Sequence, residues 1–147
     1  MRTAGLRVDR DQTCEGVVEC TALVLAENCA DFEGKLTLFG ILDEIRPTGD
    51  ETSFVVYAKF EGCEHAVEGD LRMARILITD EDGSTIDESE EFSVWLDGPE
   101  NSTTVTAGFE IPADFGEGGE RVLWVEAILD DEALSQTAVR LRERYNV

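Results

Sequence analysis

Apolar residues in this chain recur at every second position, in runs of about ten residues separated by turn-forming residues, and no segment sustains a helical period. Such alternation puts one side of an extended strand in a core and the other in water. It is clearest over residues 53–61, where Phe54, Val56, Ala58 and Phe60 share one face and Val55, Tyr57 and Lys59 take the other. Residues 103–111 repeat the pattern with Val105, Ala107, Phe109 and Ile111, and residues 120–129 with Leu123, Val125, Ala127 and Leu129.

Further strands are predicted over residues 22–29, 35–45 and 70–79. The last changes apolar phase near Arg75, from Leu71 and Met73 to Ile76 and Ile78, as a β-bulge would cause. Gly40, in mid-strand, marks a bulge or a close backbone approach. A return strand starts at residues 84–87 and resumes at 91–96 after the tight turn Asp80–Glu81–Asp82–Gly83, where Gly83 supplies a positive φ. Residues 133–142 are rich in helix formers, but a strand there completes a hairpin across Asp130, Asp131 and Glu132. Seven or eight short strands without βαβ spacing predict an all-β fold, an antiparallel β-sandwich of two sheets packed face to face. The expected organisation is a polar N-terminal tail over residues 1–19, with a short strand near residues 16–20 as an alternative, and one sandwich domain over residues 20–147.

Charge narrows the function. The chain has 33 acidic and 12 basic residues, a net charge of −21 at pH 7. Nucleic-acid binding draws on clustered Lys and Arg, so neither nucleic acid nor an anionic membrane is an expected partner. The excess serves solubility or a salty interior, or it captures basic partners or cations. No apolar run approaches the ~20 residues of a membrane span, and the N-terminal residues have no signal-type apolar stretch, so the expected location is cytoplasmic. Cys14, Cys20, Cys29 and Cys63 form no C-x-x-C pair and read as free thiols, with a Cys14–Cys20 bridge as the alternative.

Few constellations carry chemistry. Cys63 and His65 would share a strand face, yet Gly62 and Gly69 suggest a loop. Carboxylates are abundant but fall in solvated turns, which does not suit paired acid–base catalysis. Calcium is the best-formed alternative: Asp80, Asp82, Asp87, Glu88, Glu90 and Glu91 lie close in sequence, and Asp130, Asp131 and Glu132 occupy another turn. Calcium takes six to eight oxygens from flexible loops, so Asp80, Asp82, Asp130 and Asp131 would be its ligands if both turns met at one end of the sandwich. Trp95 and Trp124 fall out of phase with their apolar neighbours and are candidates for an outer sheet face. Arg140, Arg142 and Arg144 form a basic stripe that guards an edge or docks on the acidic surface of a second copy.

The run ALVLAENCADFEGKLTLFGILDEI, residues 22–45, resembles the opening of a family of small bacterial proteins of unknown function. The Gly34–Lys35 turn, the Gly40–Ile41 step, the aspartate-rich turn at Asp80 to Gly83 and the closing hairpin at Asp130 and Asp131 extend the likeness over most of the chain after residue 20. The resemblance implies a C2-like or immunoglobulin-like sandwich and carries over no catalytic residue and no cofactor. The leading expectation is therefore a non-catalytic protein-interaction module whose partner is another protein or a second copy. A calcium-dependent binding domain is the alternative, and an enzyme with an unrecognised site is the third reading.

Overall fold

The structure, a computed structural model, describes residues 18–62, 71–95, 102–115 and 118–143, with only the backbone described at Trp95. Ten strands and no helix occur among them: β1 (Val18–Phe32), β2 (Lys35–Ile41), β3 (Glu44–Ile45), β4 (Glu51–Gly62), β5 (Leu71–Thr79), β6 (Thr85–Glu88), β7 (Phe92–Trp95), β8 (Ser102–Pro112), β9 (Glu120–Leu129) and β10 (Glu132–Arg142). One sheet has the order β2-β1-β4-β8. The other runs β3-β10-β9-β5-β6, and β7 also pairs with β5. All pairings are antiparallel except that of β3 with β10.

The alternation that marks the strands builds the core. Phe54, Val56, Ala58 and Phe60 of β4 and Val105, Ala107, Phe109 and Ile111 of β8 turn inward against Ala74, Ile76 and Ile78 of β5 and Leu123, Val125 and Leu129 of β9. Neighbours on β4 and β8 stack directly, Phe54 on Phe109, with ring centroids 5.7 Å apart. Each fully buried side chain of this size contributes roughly 1.5–3 kcal/mol over its exposed state.

Ten strands stand where seven or eight were expected, because two runs are divided. Residues 35–45 leave the first sheet after Ile41, and Glu44–Ile45 joins the second sheet beside β10. The return strand breaks at residues 89–91 into β6 and β7. There the Ser89 amide donates to the Ile76 carbonyl at 2.9 Å, and Ser89 Oγ accepts from the Ile76 amide at 2.8 Å. The bulge expected at Arg75 is absent: β5 pairs with β9 in unbroken register from Ala74 to Thr79. Leu71 and Met73 belong to the outer face, and the irregularity lies in the partner strand. Val18 and Glu19 pair with Gly62 and Glu61, so β1 takes two residues from the expected tail. Residues 1–17 lie outside the described residues, as do Cys63, His65, Arg144 and the Trp95 side chain.

Two hairpins turn through paired left-handed residues, Glu33 (φ 52°) with Gly34 (φ 77°) and Asp130 (φ 48°) with Asp131 (φ 68°). Positive φ at both central positions matches the right-handed twist of the flanking strands. The closing segment is a strand, as its hairpin suggested.

Candidate interaction surface

Four of the five large apolar side chains exposed among the described residues lie within Phe32–Ile41, on the β1–β2 hairpin: Phe32 (61%), Leu36 (40%), Phe39 (47%) and Ile41 (63%). The register explains the placement. Lys35, Thr37, Phe39 and Ile41 stand opposite Phe32, Ala30, Asn28 and Ala26, and Ala26 stands opposite Val55 of β4. Since Phe54 and Val56 face the core, Val55 and everything in its row face outward. The outer side of this sheet thus carries exposed Ile41 and half-buried Val55 on either side of a fully buried Ala26 in one row, and half-buried Val24 and Tyr57 in the next. Leu36 and Leu38 take the other face, with Leu36 still exposed near the hairpin tip. At roughly 200 Å² per large side chain, Phe32, Phe39 and Ile41, the three on the outward face, leave on the order of 340 Å² of apolar surface in water. That is the size at which a patch on a monomer is often functional.

β2 is also the free edge of its sheet among the described residues. Sequence sets its shape at Gly40, whose φ is 66° and whose missing Cβ would meet Cδ and Cγ of Glu27 at 2.8 and 2.9 Å. The strand KLTLFGI contains no carboxylate. Around it stand Glu27, Asp31, Glu33 and Asp43, for which no basic partner exists among the described residues.

A second feature is an open cleft of about 370 Å³ between β8 and the β6–β7 break, with Asp87, Glu88 and Glu90 at its rim and Phe92, Ala107 and Phe109 beneath. Glu88 is held by Arg75 at 3.0 Å, and the Ser89 hydroxyl donates to the Glu90 carbonyl at 2.8 Å. The lining contains no imidazole, thiol or amine.

The aspartates expected to share calcium do not come together. Asp80 follows β5, whereas Asp130 sits at the start of β5, where its amide donates to the Met73 carbonyl. Seven residues of strand separate the two turns, roughly 23 Å. They occupy opposite ends of the sheet. Each carboxylate has local work instead. Asp80 Oδ1 accepts from the amides of Asp82 and Ser84, both at 2.9 Å, and Oδ2 meets Arg121 at 3.4 Å. The Ser84 bond foremost, with the Asp82 amide and Arg121, holds the Asp80 carboxyl below the usual range. Burial pushes Asp130 upward, but Arg72 and the Met73 amide outweigh it and the net shift is down. Asp131 pairs with Arg75 at 2.9 Å. Asp82 contributes its backbone amide to the turn. Among the described residues no group of three or more His, Cys, Asp or Glu side chains is placed to hold a metal.

The other sequence candidates also resolve. Arg142 bridges Glu44 (2.9 Å) and Glu120 (3.6 Å), and Arg140 also reaches Glu120 at 3.6 Å, so this part of the basic stripe is neutralised within the chain. Trp124 is half-buried on the outer face of β9, between buried Leu123 and Val125. Cys20 and Cys29 are free thiols, and burial pushes the Cys20 thiol up. No helix among the described residues is long and apolar enough to cross a membrane. Sequence reasoning placed alternating residues on β2 but missed its exposure, although the absence of acidic residues from 35–42 was a visible signal.

No family model and no curated protein matches the sequence. Solved structures share the fold. Over 85% of its length the chain is similar to 30% of the Pseudomonas fluorescens alkylpurine DNA glycosylase AlkC, bound to DNA containing an abasic site analog, at 14% identity and a TM-score of 0.52. It is similar over 85% of its length to 15% of a glycosyl hydrolase family 2 member from Bacteroides cellulosilyticus (14% identity, TM-score 0.48). Over 86% it is similar to 16% of β-glucosidase 3B from Thermotoga neapolitana (16% identity, TM-score 0.45). The chain spans under a third of each of these proteins, and at such identities the likeness concerns the fold alone.

Proposed function

We propose that this chain is a non-catalytic protein-interaction module that presents the β1–β2 hairpin and the adjoining outer sheet face to another protein. The observation that carries the reading is the concentration of exposed apolar side chains, Phe32, Leu36, Phe39 and Ile41, on one hairpin of a chain with net charge −21. Scattered surface apolar residues need no explanation, but a concentration of them on one hairpin, with Phe32, Phe39 and Ile41 along its outward face, is the usual form of a contact site. The DNA bound by the glycosylase does not transfer to this chain, because 12 basic against 33 acidic residues would be repelled by phosphate.

The test is a photo-reactive phenylalanine analogue placed at Phe32 in one variant and at Trp124, on the outer face of the opposite sheet, in another. Irradiated in the cells that make the protein, the first should give discrete adducts with a second protein and the second should not. No adduct from either position, or the same adducts from both, would reject this surface.

A further inference from the structure

We propose that β2 accepts an extended segment of a partner protein as a fifth strand, and that this segment alternates apolar residues and carries Lys or Arg on both flanks. The inference rests on the interaction reading above and specifies its chemistry.

A comparison of the sheet edges singles out β2. Natural edges are blunted by shortness, breaks, inward charges or proline, because unpaired backbone amides and carbonyls are a template for another strand. Among the described residues, β3 is two residues long. The β6–β7 edge is broken at residues 89–91 and carries Asp87, Glu88, Glu90 and Glu91. β8 contains Gly108 and Glu110, ends at Pro112, and faces β6 and β7 across the cleft. β2 has seven residues, no proline and no carboxylate, with Lys35 at one end. Its devices of this kind are Lys35 at one end and the left-handed Gly40 near the other, which leaves the five residues from Lys35 to Phe39 as the least protected edge among the described residues. From Lys35 to Phe39 its side chains alternate as an added strand requires, with Thr37 and Phe39 on one face and Leu36 and Leu38 on the other; the left-handed Gly40 interrupts the run, and Ile41 resumes the outward face opposite Ala26.

Charge selects the occupant. Glu33 precedes β2 and Asp43 follows it, while Glu27 and Asp31 stand on the neighbouring strand. A segment with basic flanks meets these carboxylates at both ends and is steered by the −21 field of the whole chain. A second copy also supplies a strand, and with Phe39 on the dyad it would set Lys35 against Asp43, but it brings two bodies of −21 together. A partner of opposite charge fits better. Backbone pairing would supply affinity, and the alternate pockets would supply selectivity.

Fluorescence anisotropy tests this with a labelled nonapeptide of five alternating valines and threonines between two lysines at each end, added to the full chain. The peptide should bind, weaken about tenfold when salt rises from low ionic strength to about 0.5 M, and lose at least tenfold when its lysines become glutamates. N-methylation of one alternate set of peptide amides should abolish binding, and methylation of the other set should not. Ile41→Lys, at an exposed position that leaves the fold intact, should lose at least tenfold, and Leu71→Lys, exposed on the other sheet, should lose nothing. Equal binding by both methylated peptides, or by both protein variants, would overturn strand addition and indicate non-specific attraction to an acidic surface. A dimer that tightens with protein concentration and salt and dissolves in Ile41→Lys would overturn it in favour of a second copy. Adducts at Phe32 without peptide binding would overturn strand addition yet leave the interaction reading standing, whereas absence of both would reject the two together.

Discussion

Replacing Gly40 by alanine adds one methyl group, and the structure states what that group meets. The backbone there has φ 66°, a left-handed conformation that costs a non-glycine residue roughly 1–2 kcal/mol. A further cost comes from Glu27, whose Cδ and Cγ stand 2.8 and 2.9 Å from the new Cβ. Glu27 is exposed, so its side chain can swing aside at a rotamer cost of about 0.5–1.5 kcal/mol. Gly40→Ala should therefore destabilise by about 2 kcal/mol, Glu27→Ala by less than about 0.5 kcal/mol, and the double variant by about 1 kcal/mol, since truncation of Glu27 relieves the contact but not the dihedral. Urea titration of the four proteins, with the slope checked for constancy, measures all three values and the coupling between the sites. A cost below about 0.5 kcal/mol for Gly40→Ala would refute the left-handed assignment. Strict additivity would refute the Glu27 contact.

Phe60, fully buried on β4, should cost about 3–5 kcal/mol when replaced by alanine, read as a lowered denaturation midpoint; a loss under 1 kcal/mol would move it out of the core. Asp80 has a folded-state pKa below its unfolded value, so its contribution is present above the ordinary carboxylate value of about 4 and is lost as pH falls through the lower folded value. The difference in melting temperature between the natural protein and Asp80→Asn should accordingly be full at pH 6 and shrink below about pH 4; a gap independent of pH would remove the charge from the argument. Raising sodium chloride from 0.01 to 0.1 M shortens the screening length from about 30 to about 10 Å and should raise the melting temperature of this −21 chain. Because Asp80 and Asp130 lie at opposite ends of β5, calcium at matched ionic strength should stabilise no more than magnesium, and a calcium-specific rise would contradict that placement.

Sequence by itself determined the class of fold, since a period of two, repeated in Phe54 to Phe60, Val105 to Ile111 and Leu123 to Leu129, is a local consequence of backbone geometry. It also determined the turns, because Gly34, Gly83 and the Asp130–Asp131 pair hold conformations that these residue types tolerate best. Local pattern could not say where strands divide: Leu36, Phe39 and Ile41 read as an ordinary half-buried strand. Their exposure follows from β2 standing at a sheet edge, a fact about the order β2-β1-β4-β8 that the residues of β2 do not contain. The apparent phase slip in β5 was likewise resolved by a partner, as Ser89 carries the irregularity for Ile76 from thirteen residues away. The acidic turns show the same limit. Asp80 and Asp130 look equivalent in sequence, but antiparallel pairing of β5 with β9 sends them to opposite ends, and Arg121 and Arg72 occupy each one there. Alternation is set by bonds within the chain, whereas edges, ends and ion pairs are set by which strands lie side by side, and only the tertiary structure decides that.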